Sequence, residues 1–109
     1  MKLEAPISKE IQSYLKSIGV FFYRSQVYRG NTKTGAYLHT GVKGLADLTC
    51  ILPGKLLFIE TKKADGCQTI HQKAFMLRIQ QLGHLYLVAR SVGDVATYLK
   101  ELAITYHPH

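Results

Sequence analysis

Residues 44–63, GLADLTCILPGKLLFIETKK, hold two apolar runs hinged on Pro53-Gly54. A Pro-Gly pair between runs rich in β-branched and aromatic residues is a strong turn signal, so residues 45–52 and 55–63 read as two strands of a hairpin. A symmetric turn on Pro53-Gly54 sets Asp47 opposite Glu60 and Leu45 opposite Lys62. Directly opposed residues place their Cβ atoms roughly 4.5 to 5.5 Å apart on one face. Strand alternation puts Glu60 and Lys62 on that same face. The run Leu56-Leu57-Phe58-Ile59 reads as a strand buried on both faces, which leaves its charged end at the rim of the core. One hairpin thus projects two carboxylates and an ammonium toward a single point.

The flanking sequence completes an α/β pattern. Ile7, Ile11, Tyr14, Leu15 and Ile18 recur at helical spacing, with Pro6 suited to a first turn and Gly19 to a stop. Residues 20–27 predict a strand. Residues 29–44 hold four glycines with Asn31 and Thr32, and read as a long loop or ragged hairpin. A second helix is predicted over residues 69–82, with Ile70, Ala74, Phe75, Ile79 and Leu82 inward. Residues 85–89 form an apolar strand. Ser91 and Asp94 make a capping-box pattern that opens a third helix, whose inner face is Val95, Leu99 and Leu102. The order αβββαβα implies a mixed sheet flanked by helices. The 109 residues fit a single domain spanning the whole chain.

Composition narrows the function. Hydrophobic residues at 47% support a packed core, and a net charge of +7 favours a polyanionic partner such as nucleic acid. Seven of the 14 basic side chains fall in residues 1–44 beside only Glu4 and Glu10, so Arg24, Arg29, Lys33 and Lys43 are the first candidates for phosphate contacts, with Lys63 added after the hairpin. No glycine-rich phosphate loop is present, which argues against a nucleotide cofactor. No apolar run approaches the length of a membrane span, and the expected location is the cytoplasm. Cys50 and Cys67 read as thiols in a reducing compartment. Cys67 and His71 have the spacing of half a zinc site but lack a second pair.

Two opposed carboxylates repel, and apolar surroundings raise the pKa of one of them. A divalent cation relieves the repulsion, and hard oxygen ligands select Mg²⁺ or Mn²⁺ over zinc. Such an ion polarises a phosphodiester and acidifies a bound water. Lys62 would stabilise developing negative charge or orient the attacking water. The plainer reading is that Asp47, Glu60 and Lys62 merely decorate strand ends.

Asp47 followed by Glu60-Thr61-Lys62 resembles the signature of the PD-(D/E)XK nuclease superfamily. More closely, Gly44-Leu45-Ala46-Asp47-Leu48, Ile59-Glu60-Thr61-Lys62, Gln72 and the GHLYLVAR stretch of residues 83–90 are similar to the VRR-NUC (virus-type replication-repair nuclease) family, over residues 4–95. Ala46 departs from the proline frequent there, which gives stiffness rather than ligation. The resemblance implies a restriction-endonuclease-like fold, dependence on Mg²⁺ or Mn²⁺, and cleavage of structured DNA. It implies that Asp47, Glu60 and the Thr61 backbone carbonyl hold the metal and that Lys62 is the catalytic lysine. It sets Gln72 beside the site, although Thr69 and Gln72 also form a capping-box pattern. It places an acid of the first helix near the metal, Glu4 by spacing with Glu10 as the other candidate, and Arg24 near the site. Small members resemble Holliday-junction resolvases, which implies a homodimer acting on four-way junctions or flaps. The alternative is a non-catalytic, basic nucleic-acid-binding module with the same fold.

Overall fold

Pro53-Gly54 makes the expected turn, with Gly54 in the left-handed region at φ +75°. The computed structural model describes residues 4–25, 30–31, 37–38 and 42–105. On either side of the turn, β4 (Leu48–Leu52) and β5 (Lys55–Thr61) pair antiparallel in the predicted register, from Leu52↔Lys55 to Leu48↔Ile59. On the outer edge of β4, β1 (Phe21–Arg24) pairs antiparallel. On the far edge of β5, β6 (Leu85–Ala89) runs parallel, reached through α2 (Ile70–Gln81), since parallel neighbours need a crossover. The sheet order is β1-β4-β5-β6, mixed as predicted. Helices α1 (Glu4–Ser17) and α3 (Val92–Thr105) complete the αβββαβα order around it. Within the stretch read as a loop or ragged hairpin, two-residue strands β2 (Gly30–Asn31) and β3 (Tyr37–Leu38) pair separately.

Side-chain alternation along β5 divides the core. Leu57 and Ile59 face α1 and α3, packing with Ile7, Ile11, Leu15, Leu48, Cys50, Ala89 and Val95. Phe58 faces α2 in a smaller cluster with Ala46, Ile79 and Tyr86. There Phe75 stands edge-on to Phe58, their ring centroids 5.4 Å apart. By the same alternation Glu60 belongs to the α2 face. No helix among the described residues is long and apolar enough to cross a membrane.

Several expectations are corrected. β4 begins at Leu48 and β5 ends at Thr61, so neither Asp47 and Glu60 nor Leu45 and Lys62 are paired across the strands: the ladder ends at Leu48↔Ile59 and Asp47 lies in the bend before it. The Lys62 amide donates instead to the Ala89 carbonyl (3.0 Å), keeping that segment with β6. β1 stops at Arg24, and the remainder of its predicted span lies mostly outside the described residues. In α2, Ile70 is 80% exposed, Leu82 is 57% exposed and Ala74 is also exposed. The inward stripe is Phe75, Met76 and Ile79. Ile70, Ala74 and Leu77 form a second apolar stripe about half a turn round the helix, which is why periodicity did not pick the buried one. Ile18 lies beyond the end of α1 and is exposed, next to the stop at Gly19 (φ +76°). Thr69 and Gln72 do form a reciprocal capping box. At α3 the device is altered: Ser91 Oγ accepts from the Asp94 amide (3.2 Å), but Asp94 Oδ2 accepts from the Arg90 amide (2.8 Å), one residue before the N-cap.

Cys50 is buried in the sheet core, and burial pushes its thiol up to about 11. Cys67 is exposed, and both are free. The native protein is therefore expected to take up a single maleimide, at Cys67, with Cys50 reacting only after denaturation. Intact mass before and after guanidinium treatment checks this, and rapid double labelling of the native chain would contradict the burial.

Candidate active site

Asp47 occupies a bend where the chain enters β4, exposed on its outer side. Two contacts fix it. Its carbonyl accepts from the Ser25 amide (2.8 Å), just past β1. Its carboxylate Oδ2 accepts from the Thr61 amide (2.6 Å), at the end of β5. Three residues upstream, Gly44 (φ +74°) runs so close to the start of α2 that a Cβ there would fall 2.2 Å from the His71 carbonyl oxygen. No side chain fits.

Glu60 is 1% exposed. Its Oε1 accepts from the Tyr86 hydroxyl (2.5 Å) and from Gln68 Nε2 (3.2 Å). Its Oε2 is buried without a hydrogen-bond partner among the described residues, with Lys62 Nζ 3.8 Å away. Lys62 itself is 8% exposed. On the opposite face of β5, Thr61 meets a cleft of about 340 Å³ between α1 and the sheet, also lined by Glu4, Lys9, Arg24 and Asp47. The Thr61 hydroxyl is likewise buried without a hydrogen-bond partner among the described residues.

Electrostatics tie these groups together. Burial pushes the Asp47 carboxyl up; the Thr61 amide opposes this, the charges of Glu60 and Glu4 push it further, and Lys62 opposes. Burial pushes the Tyr86 phenol far up, as do its hydrogen bond to Glu60 and the charges of Glu60 and Asp47, with Gln68 opposing. Tyr86 therefore keeps its proton and acts as a donor. Asp47 feels Glu60, Glu4 and Lys62, so these charges lie within electrostatic reach of one another; but Asp47 is not the cross-strand partner of Glu60 that the register predicted, and it lines the cleft on the other face of β5.

The other sequence-predicted residues divide. Of the two acids on the first helix, Glu4 lies in the cleft with Asp47, and Glu10 does not line it. Thr61 offers its amide to Asp47. The Gln72 side-chain oxygen is occupied by the Thr69 amide (2.8 Å), so its observed work is capping α2. Arg24 lines the cleft, Lys43 is exposed in the turn before Asp47, and Lys63 pairs loosely with Asp65 at 4.0 Å. Arg29 and Lys33 lie outside the described residues. Sequence reasoning missed Tyr86, Gln68 and Arg90. Arg90 Nη1 donates to the carbonyls of Lys63 and Gly66 (2.7 Å each) and pins the loop that carries Gln68. A tyrosine in the apolar strand β6 did carry one signal: a buried hydroxyl needs a partner.

Carboxylate and carbonyl oxygens are the hard donors that divalent ions such as Mg²⁺ accept. Among the described residues no group of three or more His, Cys, Asp or Glu side chains is placed to hold a metal ion. The site instead offers two carboxylates in mutual electrostatic reach and a buried carboxylate oxygen lacking a hydrogen bond, beside strand-end backbone.

The mixed sheet with its helices is the architecture of a nuclease-like α/β fold. More narrowly, it is the fold of a VRR_NUC domain: a solved structure of one matches with a TM-score of 0.62, covering 96% of this chain and 97% of that one at 21% identity. The fold expected from the sequence resemblance is thus the fold observed. No protein-family model and no curated protein matches the sequence.

Proposed function

We propose that this chain is a metal-dependent endonuclease that hydrolyses DNA phosphodiesters, with Asp47, Glu60 and Lys62 at its centre. One observation carries the reading: Glu60 is almost fully buried, with Oε2 lacking a hydrogen-bond donor, next to Lys62 and within the field of Asp47. A strand-end decoration has no reason to bury a carboxylate in that state.

Asp47, Glu60 and the Thr61 carbonyl would hold Mg²⁺ or Mn²⁺, with Glu4 as an outer acid. The bound ion supplies charge neutralisation and Lewis acidity at the phosphate. Lys62, fixed by its buried partner, presents donors to negative charge developing on the phosphoryl oxygens or orients the attacking water. Arg24 on the cleft wall and Lys43, Lys63, Arg29 and Lys33 supply positive charge for neighbouring phosphates, in keeping with the net charge of +7. Gln72 sets the start of α2 beside this region.

The preferred substrate in this reading is branched DNA, a four-way junction or flap, cut by a homodimer whose two-fold axis brings two sites to two strands. Exposed Phe21 and Tyr23 on β1 and Ile51 on neighbouring β4, and Ile70, Leu77 and Leu82 on and just beyond α2, are apolar surface that a partner would cover. Light scattering at micromolar concentration should return twice the chain mass; a monomer mass would rule out the dimer.

The nuclease reading is tested with labelled junction, flap, duplex and single-stranded DNA, incubated with Mg²⁺, Mn²⁺ or chelator. Wild type should cut at least one substrate, only with metal. Lys62→Ala should bind without cutting. Equal trace cutting by both proteins would instead favour the non-catalytic binding module.

A further inference from the structure

We propose that Tyr86 and Gln68 are positioning residues that occupy one oxygen of Glu60 and thereby present the other to a divalent cation. This rests on the nuclease reading above. An ionised carboxylate has about four acceptor positions over two equivalent oxygens. Here both donors converge on Oε1, and Oε2 receives none. Lys62 Nζ, at 3.8 Å, is close enough for charge attraction but beyond hydrogen-bond range. A carboxylate so divided cannot swing about its terminal bond without breaking the Tyr86 contact. Its second oxygen keeps one direction.

The donors are well placed to do this. The parallel register sets Tyr86 beside Phe58, so its hydroxyl reaches two residues along β5 to Glu60. The ring is braced by Phe75, edge-on at 6.1 Å. Gln68 comes from the loop that Arg90 pins through the carbonyls of Lys63 and Gly66, one residue before the N-cap of α2. Hydrogen-bond partners of metal ligands typically govern metal affinity by 10–100-fold.

The experiment is a Mn²⁺ titration of DNA-free protein, by calorimetry or by electron paramagnetic resonance of unbound Mn²⁺. It compares wild type, Tyr86→Phe, Gln68→Ala and Glu60→Gln, each with a thermal melt. Tyr86→Phe keeps the packed ring, and Gln68→Ala changes a half-buried loop residue. If one variant fails to fold, the other still decides. Expected results are loss of Mn²⁺ binding in Glu60→Gln and a Kd raised roughly 10–100-fold in Tyr86→Phe and Gln68→Ala, with the folded state retained. If Glu60→Gln loses Mn²⁺ while both positioning variants bind like wild type, this inference is overturned and the nuclease reading stands. If wild type binds no Mn²⁺, both fall.

Discussion

Lys62→Ala is expected to slow DNA cleavage by roughly 10²- to 10³-fold, the usual loss when one preorganised donor to a developing oxyanion is removed. Single-turnover cutting of the best substrate with saturating metal measures it. DNA binding, followed by anisotropy in Ca²⁺, should persist, because the exposed basic side chains carry phosphate affinity and Lys62 is 8% exposed. The variant should also melt earlier. Lys62 Nζ is the cation beside Glu60 Oε2, and removing one partner of a buried pair typically costs about 3–5 kcal/mol. Glu60 keeps its contacts to Tyr86 and Gln68, which favours the lower end. In a domain of this size about 3 kcal/mol corresponds to a fall in Tm of more than 10 °C. The kinetics therefore belong well below that Tm. A wild-type rate in the folded variant would move the chemistry away from this lysine.

A comparably large loss of stability is expected from Gly44→Ala. At φ +74° an L side chain is strained by about 1–2 kcal/mol. The added Cβ would also meet backbone, 2.2 Å from His71 O and 2.6 Å from Gln72 N, which cannot rotate away. Overpacking of that kind costs about 1–3 kcal/mol more, so Tm should drop by about 10–20 °C. Gly54→Ala is the control, with a similar φ of +75° and nothing within 4 Å of its Cβ. It should show only the backbone component. Because Gly44 leads into Asp47, cleavage below the Tm should suffer in Gly44→Ala and not in Gly54→Ala. Equal melts for the two variants would refute the close approach.

These expectations show which parts of the molecule could be read from its residues. The hairpin was legible because Pro53-Gly54 fixes its turn, and the turn fixes every pairing down to Leu48↔Ile59. The Thr69-Gln72 cap and the stop at Gly19 were legible for the same reason: each is decided by a few neighbouring residues. The surroundings of Glu60 were not. Tyr86 reaches it only because β6 lies parallel to β5 in one particular register, which the α2 crossover sets and no local pattern announces. The buried side of α2 was ambiguous because the helix is apolar on two sides, and packing against Phe58 and Tyr86 made the choice.

The hydrogen bond from Thr61 to Asp47 has a mechanical consequence. It stitches the acid at the mouth of one strand to the main chain of the next, a single residue from Glu60. A shift of β5 relative to β4 would therefore have to carry Asp47 with it or break that bond. The position of the acid against β5 is thus tied to strand geometry, although Asp47 itself lies in a bend.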